Sequence, residues 1–220
     1  TMKKLLSFLF LICIISCSPL QYVQLYEANS ETVDLINNDF YFENDTIKVS
    51  YFFWTMKGEM GCAIENKLDQ PIYLDSKKTA FIKNDIKYDI VNMGEKRSER
   101  IMFIPPNSTS IQTYSYNIGD RKLYSKPPNK KNTMAEWSFN ESSSPLKFRN
   151  YFVFSLNENF NEEIHIDHDF FISNIQVWNS PKHDFYKTRA ENMFYFKKGS
   201  QTSPTKKGFV PLTQRLKKNN

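Results

Sequence analysis

The chain is expected to be all-β, an antiparallel β-sandwich of immunoglobulin-like or related Greek-key type, and three observations carry that expectation. Apolar residues recur with a period of two rather than 3.6. The runs that show this are short, follow one another roughly every ten residues, and are separated by turn-forming residues. Helices alternating with strands are missing, which argues against α/β layers. Composition agrees. With 40% hydrophobic and 24% charged residues the chain lies in the globular range, and six Gly against nineteen Phe, twelve Tyr and three Trp exclude collagen-like or low-complexity architecture. One domain over residues 17–198 is expected, because all-β units reach this length.

The first clear strand is the run 46–54. Ile47, Val49, Tyr51 and Phe53 share one face, while Phe52 and Trp54 put rings on the other, so this strand should be central and Trp54 should belong to the core. Further strands are predicted at 60–64, 71–74, 79–82, 86–91, 100–104, 110–118, 148–156, 170–177 and 193–196. Between them, Asn44-Asp45, Lys57-Gly58, Asp69-Gln70-Pro71, Asn84-Asp85, Pro105-Pro106-Asn107 and Gly119-Asp120 have the backbone preferences of turns. Met60, Cys62 and Ile64 alternate, which makes Cys62 a small buried residue of the core. Two stretches break the pattern. Residues 121–145, polar and carrying Pro127-Pro128 and Ser142-Ser143-Ser144-Pro145, read as a long loop insertion, and 157–169 reads as a second polar loop.

The first twenty residues follow a different grammar. Lys3 and Lys4 precede an apolar run from Leu5 to Ile15, and Ser16 stands directly before Cys17. The run is about half of the roughly 20 residues that a membrane-spanning helix needs. Ile14-Ile15-Ser16-Cys17 resembles the lipobox of bacterial lipoproteins. The resemblance implies a signal peptide over 1–16, removal before Cys17, and a lipid on the Cys17 thiol that anchors the protein in a membrane. Cys62 is then the one cysteine left to the body, so stability must come from packing rather than from an internal disulfide. At the other end, seven basic residues and no acid follow Phe196. This basic tail over 199–220 has few large apolar residues to offset the ordering entropy, and it is expected to be dispensable for folding and to contact anionic surfaces. Nucleic acid is excluded as a partner by the export signal, whatever the net charge of +5.

Four strings carry a wider resemblance: Phe42 to Trp54, Glu65 to Asp75, Ile104-Pro105-Pro106-Asn107-Ser108, and Phe148-Arg149-Asn150-Tyr151. They resemble a group of uncharacterised Bacteroidetes lipoproteins with an all-β domain, over most of residues 20–180. The resemblance implies fold and envelope localisation but no activity. Surface-exported lipoproteins of that phylum often carry acidic residues just after the lipidated Cys, whereas here Ser18-Pro19-Leu20-Gln21-Tyr22 follows. An outer-membrane anchor facing the periplasm is therefore expected. Asp45-Thr46-Ile47 resembles the Asp-Ser/Thr-apolar acceptor motif for O-glycans on exported proteins of that phylum, with Thr46 at a strand start.

Chemical constellations are few. The chain has no Gly-rich phosphate loop, no G-x-S-x-G elbow, no H-E-x-x-H and no C-x-x-C. In Glu162 to Asp169, His165 and Asp167 would share a strand face and His168 could join them from a following turn, a donor set that suits zinc or a similar ion. Trp137 in the insertion and Trp178 after a strand are candidate platforms for a glycan. No cofactor is expected. The reading with most support is a non-enzymatic envelope lipoprotein that binds a protein partner or serves envelope assembly; a glycan-binding module is the alternative, and a metal-dependent hydrolase the third.

Overall fold

The structure, a computed structural model, describes residues 22–89, 101–119, 134–178 and 187–198. Cys17, the first part of the expected insertion and the basic tail lie outside the described residues. Fourteen strands are described: β1 (Tyr22–Asn29), β2 (Asp34–Ile36), β3 (Asp39–Glu43), β4 (Ile47–Phe52), β5 (Glu59–Asn66), β6 (Ile72–Asp75) and β7 (Ala80–Lys83). The remainder are β8 (Ile86–Asp89), β9 (Ile101–Ile104), β10 (Thr109–Asn117), β11 (Met134–Ser138), β12 (Lys147–Ser155), β13 (Ile164–Trp178) and β14 (Met193–Lys198).

They form two antiparallel sheets. The smaller has five strands in the order β10-β5-β4-β3-β2. The larger has nine, along the path β14-β1-β13-β12-β6-β9, with β7 between β12 and β8. Strand β13 is 15 residues long, about 50 Å at the usual strand rise, and it organises this sheet. Its second half takes β1 on one side and β11 on the other, and its first half pairs with β12.

The sheets pack face to face as a sandwich, and rings fill the space between them. Phe170 of β13 stacks on Phe148 with centroids 5.2 Å apart, and it meets Phe40, Tyr51 and Phe53 of the other layer edge-on at 5.1, 4.9 and 5.4 Å. Offset and edge-on pairs add to area burial because each ring's positive edge faces a negative face. Cys62 is fully buried in this core, as its alternation implies.

Turn chemistry explains the hairpins. Asn37-Asn38 and Asn84-Asp85 both have positive φ at two successive residues, the type I′ geometry that matches the twist of the flanking strands. Between β3 and β4, the Asn44 side-chain Oδ1 accepts the amides of Thr46 and Ile47, an Asx turn. At Gly58, φ is +70° and a Cβ would stand 2.8 Å from Phe194 Cγ, so only glycine lets the turn lie against that ring.

Three of the resembling strings meet at one end of the sandwich. The Asn66 amide donates to the carbonyls of Gln70, Ile104 and Pro105, the Asn107 amide N–H donates to the Leu68 carbonyl, and the Lys67 N–H donates to the Thr46 carbonyl. Their residues hold turns together.

Where the structure departs from the expectation, the departures are strands. Residues 134–138, placed in the insertion, form β11, and 164–169, read as loop, form the first half of β13. Both alternate, but β13 carries His168 at an inward position, where a polar residue interrupts the apolar period. Strands β1, β2 and β3 were not foreseen. β1 is buried on both faces and has Gln24 in the core, where it accepts a hydrogen bond from Tyr26.

Replacing Phe170 by Ala removes the ring that touches both layers and should cost about 3–5 kcal/mol. Urea titration would check this, and a loss below about 1 kcal/mol would show that the layers do not depend on that contact.

Candidate functional site

The two faces of β13 decide the chemistry of the larger sheet. Ile166, His168, Phe170 and Ile172 point inward, so His165, Asp167, Asp169 and Phe171 point outward. At Ser173 the register against β1 slips by one residue, since Glu27 faces Asn174 and Ala28 faces Ile172. This bulge reverses the phase. Beyond it Ile175 and Val177 are buried, and Asn174, Gln176 and Trp178 face out.

The expected metal set is therefore divided. His165 and Asp167 do share the outer face, but His168 lies on the inner one, because the strand continues where a turn was expected. The outer pair is also engaged. Tyr151 Oη lies 2.7 Å from His165 Nδ1, and Arg149 forms a two-point ion pair with Asp167 and a 2.8 Å contact with Asp169. Among the described residues no three His, Cys, Asp or Glu side chains stand together as metal ligands do. Arg149 and Asp169, with Lys147 and Glu141 beside them, line a hollow of about 310 Å³. Burial pushes the Asp169 carboxyl up, and Arg149 opposes that shift.

Inside the sandwich His168 is 2% exposed. Its Nδ1 lies 2.5 Å from the Tyr51 hydroxyl, a bond from one sheet to the other. Asn150, its cross-strand partner on β12, sits beside that hydroxyl. Rings of Phe42, Tyr51 and Phe152 surround the imidazole. Desolvation pushes the His168 pKa down to about 4 and holds the Tyr51 phenol well above its usual range. The Tyr51–His168 bond is a buried polar tie between the two sheets, with Asn150 beside it.

Trp137 and Trp178 do not share a surface. Trp137 pairs with Ile175, so it faces inward and packs on the main core. Trp178 is the last residue of β13 and faces outward. There it joins side chains that the sequence reading did not bring together. Val23 and Leu25 of β1 lie on the outer face, yet they are 6% and 1% exposed, because half-buried Trp54, Trp178, Met193 and Tyr195 cover them. Trp54, expected in the sandwich core, instead belongs to this patch. The chain beyond β4 wraps the edge of β14, where Lys57 N–H donates to the Tyr195 carbonyl and Met56 bridges Tyr195, so Phe53 enters the core while Trp54 turns outside. The Trp54 and Tyr195 rings are 5.3 Å apart.

A polar row borders these rings. The Trp178 indole N–H donates to Gln176 Oε1, Gln176 Nε2 donates to Glu136 Oε1, and Asn174 Nδ2 donates to the same oxygen. The two amide donors hold the exposed Glu136 carboxyl below its usual range, and therefore charged. Register puts Glu136 opposite Gln176, which is opposite Leu25, which is opposite Tyr195. The result is an outward platform with rings at one side and fixed amides and a carboxylate at the other. The alternation of Val23 and Leu25 was the one sequence signal for it.

Thr46 is half-exposed on the β3–β4 turn of the other sheet.

His168 titrates at about 6.5 when unfolded and about 4 when folded, so the unfolded chain binds more protons between those values. Stability should be full above pH 6.5 and fall by about 3 kcal/mol as pH drops to 4. His168→Gln, which does not titrate, should lose that part of the acid slope in urea melts at pH 7.5 and 4.5. Equal slopes in the two proteins would rule out His168 as its source.

No protein-family model, curated protein or solved structure matches this chain, and its function is read from the geometry above.

Proposed function

We propose that the protein is a non-enzymatic binding lipoprotein of the bacterial envelope, held to the outer membrane through lipidated Cys17, facing the periplasm, and presenting the outer face of its nine-stranded sheet to a partner. One observation carries the binding surface: half-exposed Trp54, Trp178 and Tyr195 sit on buried Val23 and Leu25, outside the main core. Two tryptophans, a tyrosine and Met193 on an outward sheet face are the residue types enriched at recognition surfaces. The division of His165, Asp167 and His168 between two faces supports binding over hydrolysis. The lipobox and the resemblance to Bacteroidetes lipoproteins support the anchor and the compartment.

Two measurements test this. Cys17→Ser should abolish fatty-acid labelling and release the protein from membranes; continued labelling would remove the anchor. A photo-crosslinking residue at Gln176 should capture an envelope component in living cells, while the same residue at Ser50, on the other sheet, should not. Equal capture at both positions, or none at Gln176, would remove the platform as the binding surface.

A further inference from the structure

We infer that the outer platform takes a neutral glycan and that it binds pyranose rings by stacking on Trp178, Tyr195 and Trp54 while Gln176, Asn174 and Glu136 bond their hydroxyls. This rests on the outer face being the binding surface, and it names the chemistry of the ligand.

The geometry matches the two-sided character of a pyranose. A sugar ring has apolar C–H faces and a polar hydroxyl rim. The platform offers half-exposed aromatic rings and, on adjoining strands, amides and a carboxylate. Gln176 and Asn174 are two residues apart on β13, about 6.8 Å, and neighbouring strands are about 4.8 Å apart. The row from Glu136 through Gln176 and Leu25 to Tyr195 spans four strands, so it has the length of two to three linked rings.

The polar groups are oriented before a ligand arrives. Glu136 Oε1 takes both amide donors, which leaves Oε2 as an exposed, charged acceptor for sugar hydroxyls. An acceptor left without a donor is costly once solvent is displaced. An apolar protein surface would leave Glu136 Oε2 without one, whereas hydroxyls supply donors. Charge selects within glycans. Glu136 and Glu27 both lie on this face; burial first, and then the Glu136 charge, raise the pKa of Glu27, and a hydrogen bond with Asn192 opposes them. Lys197 lies on the same face, in register with Val23 and Trp178, so the negative charge is confined to the polar row, where a uronic-acid or sulfated polymer would meet Glu136 and a neutral hexose polymer fits.

Affinity electrophoresis of the full chain in mild detergent, through gels holding neutral glucose, mannose or galactose polymers or anionic polygalacturonate, tests this. At least one neutral polymer should retard the protein and polygalacturonate should not. Trp178→Ala and Gln176→Leu should each weaken retardation about tenfold or more, while Trp137→Phe, on the inner face, should not change it. Melting curves of each variant check that it is folded. Retardation that survives both outer-face substitutions overturns the site, and stronger retardation by polygalacturonate overturns the neutral-ligand assignment. Retardation by none of the polymers overturns the inference as a whole. If Gln176 then still captures an envelope protein in cells, the platform remains as a protein-binding face; if it captures nothing, both readings fall.

Discussion

Phe170 is reached by rings from both sheets, and that contact sets the phase of β13 along its first half. Once Phe170 points into the sandwich, the two-residue period of a strand sends Ile166, His168 and Ile172 inward with it and His165, Asp167 and Asp169 outward. A slip of one residue would bury Asp167 and Asp169 and expose Phe170. The aromatic contact with Phe40, Tyr51, Phe53 and Phe148 makes that exchange very unfavourable. No internal disulfide is needed among the described residues to keep register, because the ring cluster does so.

One bulge then changes what the same strand can do. Before Ser173, Asp167 and Asp169 on the outer face are satisfied in ion pairs with Arg149, and His165 bonds Tyr151. After it the outer residues are Asn174, Gln176 and Trp178, bordered by rings from β1, β14 and the segment after β4. The sheet therefore has a salt-bridged half and an aromatic half on one continuous surface. Bulges commonly re-aim side chains next to functional surfaces, and this one separates the expected metal ligands from the platform.

The Tyr51, Asn150 and His168 trio is a second consequence of the same phase. An imidazole in a core of rings has to give up its charge, and it does so by burial while Nδ1 bonds across the sheets to Tyr51. The tie favours one alignment of the two layers at neutral pH and weakens it in acid. Its position among Phe42, Tyr51 and Phe152 identifies it as structure rather than chemistry.

The amino-acid sequence by itself determined the fold class, most strands, the hairpin turns at Asn44-Asp45 and Asn84-Asp85, and the burial of Cys62, because period and turn chemistry are local properties. It also carries a string, Ile14-Ile15-Ser16-Cys17, that resembles a lipobox. What it could not determine was which ring faces which layer. Phe53 and Trp54 are adjacent and equally apolar, and only the wrap around the edge of β14 sends one into the core and the other onto the outer face. Trp137 and Trp178 looked alike in sequence, and strand register against β13 put them on opposite sides. His168 resembled a surface ligand among acids, and the inward phase set by Phe170 buried it. Each of these was decided by contacts between residues far apart in the chain, which local periodicity does not encode.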